Sequence, residues 1–160
     1  MRSRFLSDQV RLAHRGPAWH GSSIAENLEG LDAAQAAARP VREAHSIWEI
    51  VLHMTGWTEE VERRLGGGAP SVPERGDWPS VGPVSEAAWA DARAAVATAH
   101  EALAAAIERF PEDRWDTTVG DSLDQPLGTG VTYAAMVAGL VQHDAYHGGQ
   151  VGLLRKALRV

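Results

Sequence analysis

Ser46-Ile47-Trp48-Glu49-Ile50-Val51-Leu52-His53-Met54-Thr55-Gly56-Trp57 is the stretch that decides the fold class. Ser46 followed three residues later by Glu49 is a capping box, the reciprocal pairing of side chains and backbone amides that starts a helix. Ile47, Ile50, Val51, Met54, Trp57 and Val61 recur at three- and four-residue spacing, so one helix face is apolar and seeks a core. Gly66-Gly67-Gly68 stops the helix. His53 lies on the inward stripe, between Ile50 and Trp57.

The same signals recur on both sides. Toward the C-terminus a Gly/Pro-rich connection, Ala69 to Val84, holds Pro70, Pro73, Pro79 and Pro83 and reads as a long surface loop, a candidate lid. Ser85-Glu86 opens an Ala-rich helix to Arg109, closed by Phe110-Pro111. Asp113 to Gly130 is irregular, with Trp115 to Val119 as a short extended piece. Thr132 caps a last helix to about Leu158, with Met136, Val137, Leu140, Val141, Val151, Leu154 and Leu158 among its apolar positions. Toward the N-terminus, Ser7 to His14 forms a short helix ended by Gly16-Pro17. Ser23 and Glu26 box another to Leu28, and Asp32 caps an Ala-rich turn up to Arg39. No repeat and no convincing strand pattern appears. The expected fold is all-α: a four-helix bundle with short extra N-terminal helices and a long loop between main helices two and three. The 160 residues suit one domain, 1–160.

Composition narrows the function. A net charge of -6 and no cluster of basic residues argue against a nucleic-acid partner. No apolar run approaches the roughly 20 residues of a membrane span, and Met1-Arg2-Ser3-Arg4-Phe5 leads into no signal-peptide block, so a cytoplasmic protein without membrane contact is expected. With no cysteine, thiolate sites and disulfides are excluded, and a metal would need His, Asp or Glu.

His143-Asp144-Ala145-Tyr146-His147 places two imidazoles four residues apart on one helix face. They share the stripe of Leu140, Gln150, Val151 and Leu154. Two readings stand. The histidines are core residues, each bonded to a carbonyl or carboxylate, or they join His53 in a three-nitrogen metal site with an open position. The pattern is not a zincin, because Asp144 stands where that signature needs Glu. Asp144 is read as facing solvent, with a hydrogen bond to a ligand imidazole as the alternative. His14 and His100 read as surface residues, His45 as part of a helix entry. Trp57, one turn after His53, is expected near a pocket wall. There is no Gly-x-Ser-x-Gly elbow, no phosphate-binding loop and no doubled Glu-x-x-His pair.

The run Gln142-His143-Asp144-Ala145-Tyr146-His147-Gly148-Gly149-Gln150-Val151 resembles the last-helix motif of the DinB/YfiT-like superfamily, and His45 to Trp57 resembles that of its second helix. Gly16-Pro17-Ala18-Trp19-His20-Gly21 is similar to the start of the damage-inducible subgroup. The resemblance implies an up-down-down-up four-helix bundle, a divalent metal (zinc or nickel) and frequent homodimers. By motif the ligands are His53, His143 and His147. Relatives include transferases and an isomerase that use low-molecular-weight thiols such as bacillithiol or mycothiol, and others are assigned as metal-dependent hydrolases. The implied function is a thiol S-transferase acting on electrophilic small molecules. The alternatives are a metal-dependent hydrolase, or a non-enzymatic stress-response protein with a structural metal. His20, Tyr146 and Asp144 are the acid–base candidates. Trp19, Trp57 and Gln150 are the pocket candidates.

Overall fold

The computed structural model describes residues 1–124 and 126–160; residue 125, inside the segment expected to be irregular, lies outside the described residues. Among the described residues six α-helices form: α1 (Arg2–Arg15), α2 (Ile24–Leu28), α3 (Ala33–Ala37), α4 (Ile47–Leu65), α5 (Glu86–Arg109) and α6 (Tyr133–Leu158). A 3-10 turn follows α5 at Glu112–Arg114. Among the described residues the only β pairing is isolated bridges, one of which, Thr118 with Thr132, covers part of the expected extended piece.

The helix starts are where the capping residues placed them. Ser23, Asp32 and Ser46 each form a full capping box, with Glu26, Gln35 and Glu49. Ser85 and Thr132 each cap through a side-chain oxygen. α1 is longer than expected and begins five residues earlier. Ser3, Leu6, Ser7, Val10, Ala13 and His14 form one continuous buried stripe, which carries the helix back to Arg2. The Ala-rich turn ends at Ala37, two residues short of the expected Arg39.

The four long helices make a closed ring of contacts: α4 on α5, α5 on α1, α1 on α6 and α6 on α4. Two apolar clusters fill the ring. One gathers Ile24, Leu28, Trp48, Val51, Met54, Trp89, Val96, Val151 and Leu154. The other gathers Leu6, Val10, Val61, Leu103, Ile107, Trp115, Val137 and Leu140. Between them runs a layer of polar side chains: His14 on α1, His53 on α4, His100 on α5, and His143, Asp144 and His147 on α6. On α5 the layer falls between Val96 and Leu103, and on α6 between Leu140 and Val151. The function candidates therefore sit where the apolar core is interrupted.

Candidate metal centre

α4 and α6 bring three imidazoles together. One ring nitrogen from each of His53, His143 and His147 lies within 4.8 Å of the other two. His53 Nε2 and His143 Nε2 stand 2.9 Å apart. His147 meets both neighbours edge-on, with ring centroids 4.8 Å from His53 and 4.4 Å from His143. His53 and His147 are buried and His143 is half-buried.

The outward nitrogens fix the proton positions. His53 Nδ1–H donates to the Asp77 carbonyl at 2.6 Å, and His147 Nδ1–H donates to Gln150 Oε1 at 2.7 Å. In both rings the lone pair is then on Nε2. Burial pushes the His147 pKa down to about 4, with the nearby His143 adding to it. Burial also lowers His53, against the pull of the Asp77 carbonyl. Both rings are neutral at neutral pH, the form that ligates a metal.

His143 tests whether a cation fits. Its Nδ1 is buried without a partner, 3.9 Å from Asp144 Oδ1, which is also buried without a partner. A bare lone pair facing a carboxylate is unfavourable, so Nδ1 carries the hydrogen. The Nε2 lone pairs of His143 and His53 then face each other at 2.9 Å, a repulsive approach that a cation between them relieves. Ligand nitrogens around a four-coordinate zinc, at roughly 2.0–2.1 Å from it, stand about 3.3 Å apart, inside the range this cluster spans. The residues present fit a divalent ion.

The loop between α4 and α5 forms the roof of the cluster. Trp78 lies flat between His45 and His53, with ring centroids at 3.6 Å and 3.8 Å. Asp77 accepts from His53 through its carbonyl and from Trp57 Nε1 through its carboxylate. Gly56 lets the loop lie on α4, because a Cβ there would meet the Pro73 ring at 3.2 Å. Sequence reading missed Asp77 and Trp78. The available signal was a lone tryptophan inside a Gly/Pro-rich loop, too large and apolar for a segment with nothing to pack on.

A profile of the DinB superfamily matches residues 19–151. This chain belongs to the DinB superfamily. Searches of curated proteins and of solved structures return no match. The matched span contains all three histidines of the cluster, the roof loop and α5.

Three sequence readings of this DinB-superfamily protein need correction. Asp144 does not face solvent: it is 1% exposed, and its Oδ2 accepts from His100 Nε2 at 3.0 Å. His100 is not a surface residue but 1% exposed, and its Nδ1–H donates to the Val96 carbonyl at 2.7 Å. His14 is also buried, stacked on His100 with ring centroids 4.8 Å apart. The period of α5 held the signal, since His100 continues the buried series Trp89, Val96, Leu103 and Ile107. Burial works against charge on His100, but Asp144 outweighs it and raises the His100 pKa. The Asp144 pKa is lowered in turn, since His100 outweighs its burial. Burial and the neighbouring His100 take His14 down to about 4, so it stays neutral.

The remaining candidates fall at different distances from the cluster. Gln150 holds His147, as described. Trp57 and His143 share the wall of a cavity of about 350 Å³ between α4 and α6, otherwise lined mainly by apolar side chains such as Val61, Met136 and Leu140. Tyr146 is exposed and sets its ring edge-on to His147 at 5.0 Å. Trp19 and His20 are exposed in the bridged turn Ala18–Gly21; among the described residues no hydrogen bond or ring contact joins either to the cluster.

Proposed function

We propose that this DinB-superfamily protein is a metal-dependent enzyme, a low-molecular-weight-thiol S-transferase acting on electrophilic small molecules. The observation that carries the reading is the convergence of three imidazole nitrogens beside an apolar cavity whose wall includes His143. His53, His143 and His147 hold a divalent ion, zinc or nickel, and a pair of buried neutral imidazoles favours such borderline metals over calcium or magnesium. When bound, the ion supplies a Lewis acid that lowers the pKa of a thiol or water beside it.

The chain's own residues do the rest. Asp77 and Gln150 fix the tautomers of His53 and His147, and Trp78 shields the His53 face. The apolar cavity accommodates the carbon skeleton of the electrophile. In the reaction the thiol loses its proton, sulfur bonds to the electrophilic carbon, and a substituted carbon releases its leaving group. Tyr146, on the solvent side of His147, is best placed of the acid–base candidates to pass that proton outward. Asp144 lies beneath the cluster and His20 outside it.

Further parts of the reading rest on the family. The ring of four long helices supports an up-down-down-up bundle over a single domain, 1–160. Exposed Leu153 on α6 supports a homodimer face. Among the described residues no helix is long and apolar enough to cross a membrane; the cytoplasmic location is part of the proposal.

The test is elemental analysis of untagged protein beside a His53→Ala/His143→Ala variant, then thiol consumption with an apolar halogenated electrophile. About one divalent ion per wild-type chain, none in the variant, and metal-dependent thiol loss are expected. Ion binding with ester cleavage but no thiol loss would make it a hydrolase. Ion binding with neither activity would leave a metal-binding protein. No ion in either chain would overturn the reading.

A further inference from the structure

Beneath the ligand cluster a buried donor and a buried acceptor face each other unpaired. Asp144 Oδ1 and His143 Nδ1 are 3.9 Å apart, and neither has another partner. Buried polar atoms are nearly always paired, so an orphan pair of matching character calls for a reason. The other carboxylate oxygen is firmly held: Oδ2 accepts from His100 Nε2 at 3.0 Å, and His100 is anchored to the Val96 carbonyl at 2.7 Å. His100 comes from α5, a helix that contributes no residue to the three-histidine cluster. A file of polar groups thus runs from the α5 backbone, hydrogen-bonded through His100 as far as Asp144, with a gap of 3.9 Å left to His143.

A pair that served packing alone would have no need to keep one oxygen free and turned toward a ligand ring. His53 and His147 lean on neutral acceptors, a backbone carbonyl and a side-chain amide. The Asp77 carboxylate also stands 3.4 Å from His53 Nδ1, but it is exposed to water, whereas the carboxylate beside His143 is buried. Carboxylates behind ligand histidines fix the tautomer and make the ring a stronger donor.

We propose that Asp144, held from α5 by His100, is a positioning residue for His143: it holds the ring in the Nδ1–H form and aims Nε2 at the ion. The inference rests on the metal-site reading above. Loss of the carboxylate frees the ring to flip or to change tautomer, and the cluster then offers two oriented ligands instead of three.

Two measurements on full-length protein test it. The first is zinc affinity by chelator competition for wild type, Asp144→Asn, His100→Leu and His100→Gln, with melting of each metal-free form alongside. Asp144→Asn should bind zinc about ten- to a hundredfold more weakly. His100→Leu should lose a similar factor, and His100→Gln, which can still donate to Asp144, should recover most of it. Melting should not track these changes. The second is nitrogen-15 spectroscopy of the histidine rings in the metal-free protein, expected to show His143 as Nδ1–H in wild type and as a mixture in Asp144→Asn. Wild-type affinity in Asp144→Asn would overturn the inference, as would His143 in the Nε2–H form in wild type. Should Asp144→Asn fail to fold, unchanged affinity in His100→Leu would overturn it equally. A wild-type chain that binds no ion removes the metal reading instead, and the ring spectra then decide alone whether Asp144 governs His143.

Discussion

Two charged pairs buried among the described residues are built differently. In the first, on α4, Glu60 and Arg64 use every polar atom they have. Arg64 donates to Glu60 and to the carbonyls of Ser71 and Leu127, and Glu60 also receives Arg63 and the Ser71 backbone. In the second, between α5 and α6, His100 is saturated but Asp144 keeps one oxygen free beside a histidine of the ligand cluster. The saturated pair ties loop ends to a helix. The unsaturated pair ends beside His143, a member of the three-imidazole cluster. A buried polar network with every group satisfied reads as architecture, and one that stops short at a ligand reads as function.

The largest effect expected from breaking this contrast is at the cluster. His143→Ala or His147→Ala should abolish divalent-ion binding while far-ultraviolet circular dichroism stays near wild type, because both apolar clusters are intact. Unfolding on chelation would show instead that the metal carries the fold. Next is Glu60→Leu, which strands the Arg64 guanidinium in the core. It should cost about 3–5 kcal/mol in denaturant unfolding with metal stoichiometry unchanged. A loss below about 1 kcal/mol would mean the pair is not sealed from water.

The cavity offers a sharper cut. Gly139 lines it, and a Cβ at that position meets nothing within 4 Å. Gly139→Leu should fill the space, keep the ion and the fold, and raise KM for apolar electrophiles at least tenfold. Unchanged KM would place the substrate elsewhere.

Acid should unpick the polar layer in a set order. His14 and His147, each lowered to about 4 from an ordinary 6.5, are neutral in the folded chain. The unfolded chain takes up those protons first, so metal-free stability should fall as pH drops from about 6.5 to about 4. His100, raised, gives a contribution fully present below 6.5 and lost as pH rises through its folded value, so it does not offset that fall. Asp144, lowered from 3.8, adds its own loss only in stronger acid. His14→Leu should flatten the slope between pH 6.5 and 4, and an unchanged slope would show that His14 does not titrate on folding. The smallest effect concerns the roof. His53→Ala removes one of two anchors of Asp77 and of Trp78, so trypsin should cut at exposed Arg75 a few times faster than in wild type, while Trp57, His45 and the Glu60–Arg64 pair limit the gain. Equal cutting would show that the roof does not depend on His53.

Much of this was legible in the chain. Local rules place helix starts, because a capping box needs only residues three apart: Ser46 with Glu49 and Ser23 with Glu26 both formed as read. The three-histidine grouping was legible too. His143 and His147 share a face by helical spacing alone, and His53 lay on the inward stripe of another helix. Asp144, His100 and His14 were misread for one reason. A charged or titratable residue looks exposed until its partner is known, and the partner of Asp144 lies 44 residues away on another helix.

The sequence by itself determined that the chain is helical, where three of its four long helices begin, and that any metal site would lack thiolates, with His53, His143 and His147 as its candidates. These follow from backbone capping, a 3.6-residue period and the absence of cysteine, all properties of neighbours along the chain. Only the tertiary structure decided that Trp78 and Asp77 roof the site, that the cavity opens on His143, and that His100 of α5 holds Asp144 beside His143. Those contacts join segments distant in sequence, and burial makes them matter, because a polar group withdrawn from water takes its meaning from whichever partner the fold brings to it.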